Sequence, residues 1–244
     1  MKARFIYRNL KARFCDQRQE IKTLLAAVQR GDVVVDVGAN KGSYLYWMSR
    51  AVGPGRVVAF EPQPKLAAYL TQAVAVCNLK NVTVEAKAVS DHSGRMTLHT
   101  PGDAESPGAS LEGAVQNREA CGQLEVEVVA LDDYFVRESG RIAVIKIDVE
   151  GHELAVFQGA KGIISQHSPV LIFESENRHL SHGTVFDVLR YLTDLGYRGS
   201  FICGNSLLPI AQFDSAQYQR QDGARFWDRP SYCNNFIMYR DVPR

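Results

Sequence analysis

At 244 residues, with 45% hydrophobic and 23% charged side chains, the chain is long enough to bury a full core in one α/β domain and has the balance of an ordinary globular protein. No apolar run approaches the roughly 20 residues of a membrane span; the basic start Met1–Arg8 lacks a signal peptide's apolar stretch, and five cysteines without C-x-x-C spacing read as reduced thiols, so a cytoplasmic location is expected. The net charge of +1 conceals a surplus of +6 over residues 1–30, but no aromatic-and-basic pattern recurs to suggest a nucleic-acid partner.

Residues 1–30 are expected to form a basic helical segment ahead of a single domain over 31–244. Phe5, Leu10, Phe14 and Ile21 are expected to pack onto that domain and leave the charges solvated. A weak contact of residues 1–14 with an anionic membrane surface is the alternative. Residues 18–29 read as a helix, and Arg30-Gly31-Asp32 turns into a β-branched run, Val33–Val37, apolar on both faces like a strand inside a parallel sheet. The loop Gly38–Gly42 follows, then a helix from Ser43.

A second short strand, Arg56–Phe60, ends at Glu61, placed to accept hydrogen bonds from two ribose hydroxyls. A dinucleotide would require G-x-G-x-x-G, with bare N–H groups for a pyrophosphate. Here Gly38 and Gly42 are four apart, with Asn40 between and Asp36 just before. A carboxylate there repels phosphate and suits the ammonium of an amino acid, so the pattern favours S-adenosylmethionine as cofactor.

Pro64–Cys77 has helical spacing, and Asn81–Val89 reads as a third strand, giving β-α-β-α-β and a doubly wound parallel sheet with helices on both faces. The alternation then stops. Arg95–His99 and Leu124–Ala130 read as two strands of an inserted hairpin, about 95–130, with Thr100–Gln123 as a lid or substrate-contacting loop. It resumes with a strand at Ile142–Asp148, a helix over Gly151–Ile164, a strand at Pro169–Glu174 and a helix at Thr184–Leu195. Strands are expected at Ser200–Cys203 and Asn235–Tyr239, around an irregular acceptor-side loop, about 204–234.

In Lys146-Ile147-Asp148-Val149-Glu150-Gly151-His152-Glu153, strand alternation places Lys146, Asp148 and Glu150 on one face. Charges at the carboxyl end of a parallel strand belong in the crevice where such sheets bind ligands. Glu150 and Glu153 are expected near each other, with Glu153 also suited to capping the next helix. Glu174 and Glu176 end the next strand on the same edge. With Asp148, Glu150 and His152 they could hold a divalent ion or sugar hydroxyls; Asp148, Glu150 and Glu174 are the metal candidates. His179 and His182 read as surface histidines and spare bases. Arg225, Trp227 and Tyr232 are candidates for lining an acceptor pocket.

The ordered set Asp36-Val37-Gly38-Ala39-Asn40-x-Gly42, Phe60-Glu61-Pro62, Ala88-Val89-Ser90-Asp91 with Gly94, Leu131-Asp132-Asp133-Tyr134 and Lys146–Gly151-x-Glu153 resembles the FkbM-type S-adenosylmethionine-dependent methyltransferases over about residues 30–175. The resemblance implies a class I, Rossmann-like methyltransferase fold with a mostly parallel seven-stranded sheet, and O-methylation of a hydroxyl on a sugar, polysaccharide or polyketide-like acceptor, with S-adenosylhomocysteine as product. It implies that Asp36, Gly38, Ala39, Asn40, Gly42 and Ser43 form the methionine-side loop. Glu61 with Pro62 would hold the ribose, Ala88, Val89, Ser90 and Asp91 the adenine edge, and Asp148 would sit near the sulfonium.

An alkyl hydroxyl is a poor nucleophile until its proton leaves. Asp148, or the Glu150–His152 pair, is the expected base, with Lys146 tuning the carboxylate. The competing readings are an RNA ribose 2′-O-methyltransferase, resting on the basic head, and a non-catalytic nucleoside-binding protein.

Overall fold

A computed structural model describes residues 1–101, 108–112, 121–223 and 225–240. Helix α1 (Lys2–Lys11) runs through a π-turn at Ala12–Asp16 into α2 (Arg18–Ala27). Then come β1 (Val33–Val37), α3 (Leu45–Val52), β2 (Arg56–Phe60), α4 (Pro64–Val76) and β3 (Val82–Glu85). Strands β4 (Ala88–Val89), β5 (Gly94–Pro101) and β6 (Cys121–Val129) form a separate three-stranded sheet in the order β4-β6-β5. The chain continues through α5 (Leu131–Tyr134), β7 (Ile142–Ile147), α6 (Glu153–Gln158), α7 (Lys161–His167), β8 (Val170–Glu174) and α8 (Val185–Asp194). It ends with β9 (Arg198–Cys203), β10 (Ser206–Pro209), α9 (Ser215–Tyr218) and β11 (Asn235–Tyr239).

The main sheet runs β10-β9-β11-β8-β7-β1-β2-β3. Strands β3, β2, β1, β7 and β8 are mutually parallel, and β11, β9 and β10 add on antiparallel. The seven expected strands are joined by an eighth, β10, because Leu207 and Leu208 fold back as an edge hairpin on β9. Chain order reverses between β1 and β7, which makes the carboxyl ends of those two strands the switch point where such sheets open a crevice.

Both faces of β1 are apolar because both are covered. Val33, Val35 and Val37 pack with Val156, Phe157, Ile164 and Leu192 on one side. Val34 packs with Phe5, Ile21, Leu24, Leu45 and Met48 on the other.

Several expectations are corrected. The third strand is broken: Glu85 stays paired to Phe60 in the main sheet, whereas Ala88 and Val89 leave it to pair with Val128 and Val129. The helix expected over Gly151–Ile164 is two, because at Gly159 the backbone passes so close to Ser90 that an added Cβ would stand 2.1 Å from its carbonyl oxygen. Phe5 and Ile21 are fully buried, but Leu10 and Phe14 point outward, 40% and 59% exposed. Most of the expected lid falls outside the described residues; its two ends, Thr100–Pro101 and Cys121–Gln123, extend β5 and β6 as strand, and Gly108–Glu112 is the part described between them. Cys15, Cys77, Cys203 and Cys233 are free thiols. Among the described residues no helix is long and apolar enough to cross a membrane.

Helix α1 clasps the loop after β1. Asn9, fully buried, donates from Nδ2 to the Gly42 carbonyl at 2.9 Å, and its Oδ1 accepts from Tyr46 N at 3.1 Å. The Asn9 carbonyl accepts from Trp47 Nε1 at 2.8 Å, and Arg8 Nη1 donates to the Lys41 carbonyl and to the Tyr69 hydroxyl.

Candidate active site

The loop after β1 is bent over the switch point by its glycines. Gly38 has φ +76°, and a Cβ there would lie 1.9 Å from the Asp148 carbonyl oxygen. That close approach holds the loop against the end of β7, where Asp148 N donates to Val37 O. Gly38 N and Ala39 N both donate to Phe60 O, Gly42 N donates to Ala39 O, and Asn40 N donates to Glu61 Oε2 at 2.8 Å. Four N–H groups that a diphosphate would need are therefore already engaged within the protein.

Two adjoining cavities share Gly38, Asn40 and Asp148. The first is walled by Phe60, Ala88, Val89, Leu98 and Leu111, with Glu61, Pro62 and Gln63 at one side and Glu150 and His152 at another. The second is polar: Arg8, Gln17 and Glu20 from the N-terminal segment face Ala39, Ser43, Tyr44, Lys146, Glu174 and Asn235. Gly42 lines neither, being packed under Phe5 and Leu70. Ser90 is buried beside the first cavity, and Asp91 turns outward to His92.

Glu61 is buried, and its other oxygen accepts from Gln63 N at 2.9 Å. Burial outweighs these two bonds and a third from the Gln63 side chain, and lifts its pKa to about 7. With three acceptor positions taken, about one lone pair remains for a ligand hydroxyl. Asp36 is buried to 1% exposure, and neither oxygen accepts a hydrogen bond. Burial raises its pKa to about 6, against the pull of Lys146, whose Nζ lies 3.8 Å from Oδ1. Lys146 Nζ also donates to Asp148 Oδ2 at 3.2 Å and sits 5.3 Å from the Tyr44 ring centre. Burial pulls the Lys146 pKa down, but Asp148 and Asp36 more than offset it, and the ammonium is held above the ordinary lysine value. Asp148 is the more open member, its side chain 35% exposed.

The acids downstream are not all on one face. Glu150 has φ +54°, a left-handed turn that breaks the strand alternation, and its carboxylate lies 3.0 Å from His179 Nε2. Burial, then the charges of Asp148 and Glu176, push its pKa to about 9. His179 is buried, not a surface residue; His182 is exposed. Glu153 accepts from Gly151 N and the Ser175 hydroxyl, and burial raises its pKa to about 7. Both nitrogens of His152 are engaged, with the Ser90 hydroxyl at 2.9 Å and Glu112 at 2.8 Å, so it ties the insertion to the first cavity.

Glu176 is held ionised despite burial by Arg178, Tyr232 and Asn234; Asn234 also donates to Glu174, whose carboxyl burial pushes well above the ordinary range. Tyr232 is thereby an anchor for Glu176, Arg225 pairs with Asp228, and Trp227 packs under Arg178; none of the three lines the two cavities. Among the described residues no three His, Cys, Asp or Glu side chains converge as a metal-binding set, and Asp148, Glu150 and Glu174 do not do so.

The sequence pattern did not single out Arg8, Gln17, Glu20, Tyr44, Ser110 or Glu112. Glu20 carried a legible signal: a lone acid on the same helical repeat as Ile21 and Leu24. It is buried, and burial raises its pKa to about 7.

A carboxyl whose pKa is raised on folding contributes fully below its unfolded value and loses that contribution as pH rises toward the folded one. With Glu20, Glu61 and Glu153 near 7 and Glu150 near 9, the ligand-free protein is expected to lose about 2 kcal/mol or more of stability between pH 5 and 9. Urea melts across that range check it; a stability constant or rising with pH would contradict the buried-acid geometry.

The family model described as "Methyltransferase FkbM domain" matches residues 36–198. Methyltransferase sdnD of Sordaria araneosa is 28% identical over 186 residues, covering 65% of this chain and 69% of its own. The 2-O-methyltransferase NoeI of Sinorhizobium fredii is 26% identical over 188 residues, covering 71% and 75%. Two solved structures share the fold. Methyltransferase FkbM from Methylobacillus flagellatus has TM-score 0.53 at 18% identity and covers 86% of this chain, which spans only 43% of that one. Cofactor-bound Rv0187 from MTB has TM-score 0.51 at 14% identity, covering 97% and 87%. With the model spanning most of the chain, from the Asp36 loop through the Lys146–Glu153 segment to β9, the protein belongs to the FkbM methyltransferase family and is a methyltransferase of the class I, S-adenosylmethionine-dependent fold.

Proposed function

We propose that the protein transfers a methyl group from S-adenosylmethionine to a hydroxyl of a sugar, polysaccharide or polyketide-like acceptor. The observation that carries the cofactor half is the loop itself: four of its N–H groups are consumed internally, while a carboxylate without hydrogen-bond partners, Asp36, lies beneath it. A diphosphate finds those four N–H groups already taken, whereas an amino-acid ammonium is drawn by the buried negative charge beneath the loop. Glu61 offers its remaining acceptor capacity to a ribose hydroxyl, and the apolar wall of Phe60, Ala88, Val89 and Leu98 suits an adenine ring. Arg8, pinned by the Lys41 carbonyl and Tyr69 with three further guanidinium N–H groups, is the cation we assign to the cofactor's carboxylate.

Bound in this way, the cofactor supplies an activated methyl group. The protein's task is to align the acceptor oxygen and remove its proton. Asp148, at the junction of the two cavities, is the group we assign to take that proton, and Lys146 orients its carboxylate. The second cavity, with Glu20, Glu174, Gln17 and Asn235, offers acceptors and amides to a polyhydroxylated neutral substrate. The 2-O-methyltransferase relative favours a hydroxyl acceptor.

Calorimetry tests the cofactor reading directly. S-adenosylhomocysteine should bind, and NAD should not; binding of NAD alone would overturn it. In an Arg8→Ala variant, S-adenosylhomocysteine is expected to weaken about tenfold, while 5′-methylthioadenosine, which lacks the amino-acid tail, binds as before. Equal weakening of both ligands would make Arg8 a purely structural contact. Incubation of methyl glycosides with labelled cofactor, followed by mass spectrometry, tests the acceptor class.

A further inference from the structure

We propose that α1 and the π-turn after it seat the protein on a bilayer surface rich in anionic phospholipid. The segment has two faces. Its inner face, Phe5, Asn9 and Ala12, is buried against the loop and helix after β1. Its outer face carries Tyr7, Leu10 and Phe14, exposed by 66%, 40% and 59%, at spacings of three and four residues that align them along one line. Phe14 is braced edge-on against Trp47, ring centres 6.3 Å apart, with Arg13 over both rings.

Cations flank this apolar line. Lys2, Arg4 and Lys11 are exposed, and Arg4, Lys41 and Lys65 line a cavity beside it with no carboxylate in its wall. Asp16, the one acid before Glu20, is itself paired to Lys11 at 2.8 Å. Aromatic and aliphatic side chains flanked by Lys and Arg match the acyl–headgroup boundary: the apolar line enters it and the cations meet lipid phosphates. Nucleic acid would use the cations and leave Leu10 unserved. A second copy would bring two faces of the same charge together.

This inference does not depend on the cofactor reading. The test is flotation of the whole protein with vesicles of phosphatidylcholine containing about 30% phosphatidylglycerol, against phosphatidylcholine alone. Binding is expected to the anionic vesicles at low salt, falling about tenfold or more on neutral vesicles or in high salt. A double variant, Tyr7→Ser with Phe14→Ser, is expected to lose at least about tenfold of the vesicle affinity while its circular dichroism and S-adenosylhomocysteine binding stay unchanged. Failure of the intact protein to float, or equal flotation of the double variant, would overturn the proposal. A dimer that the double variant turns into a monomer would overturn it too, as would retention on polyuridine in preference to vesicles.

Discussion

Replacing Asp148 by Asn is expected to remove turnover by about 10³-fold or more while S-adenosylhomocysteine still binds within a few-fold of the parent affinity. The amide keeps the shape of the side chain but cannot accept the acceptor's proton, and it leaves Lys146 Nζ with Asp36 as its remaining carboxylate partner, 3.8 Å away. The loss should fall on kcat more than on KM, because the group acts on the reacting oxygen and not on the remainder of the acceptor. Single-turnover rates with a competent acceptor, paired with calorimetry, separate the two effects. A variant with unchanged kcat would remove Asp148 from the chemistry and leave it as a partner of Lys146. Loss of nucleotide binding in the same measure as turnover would move it to the cofactor site.

The second large effect belongs to Gly38→Ala. The added methyl would overlap the Asp148 carbonyl oxygen at 1.9 Å, backbone on backbone, at a residue with φ +76°. Left-handed strain and overpacking are each worth about 1–3 kcal/mol, so a loss of roughly 2–6 kcal/mol is expected, together with loss of S-adenosylhomocysteine binding. By contrast Gly31→Ala, where no atom lies within 4 Å of the added methyl, should pay only for its φ of +98° and keep binding. Thermal melts and calorimetry on the pair distinguish a steric loop from a merely flexible one.

The parallel core was legible because its strands announce themselves. Val33–Val37 and Ile142–Ile147 are short, mostly apolar runs buried throughout, and the Gly38–Gly42 loop and Glu61 follow two such strands at the carboxyl edge of the sheet. What stayed hidden depended on contacts between distant segments. Nothing in Ala86-Lys87 marks the point where Ala88 and Val89 desert one sheet for another, since their partners Val128 and Val129 are some forty residues away. Glu150 was misplaced by assuming that strand alternation continues beyond Ile147, where a left-handed residue turns the side chain toward His179. In the N-terminal segment the apolar residues Phe5 and Ile21 turn inward as their spacing predicts, but nothing local marks Asn9, a polar residue amid cations, as buried beside them.

The clasp that Asn9 makes on Gly42 O, Tyr46 N and Trp47 Nε1 orders events in the life of the chain. During synthesis, Asn9 lacks these partners until the segment through Trp47 has followed it, so this contact forms only after β1 and its loop are made. In the finished protein the same contacts tie α1 to the bend, so hydrogen exchange of its amides is expected to follow how firmly that bend is held. A ligand that stiffens the bend around Gly42 would slow that exchange from a distance, giving the amides of residues 5–12 the character of a built-in reporter on nucleoside occupancy.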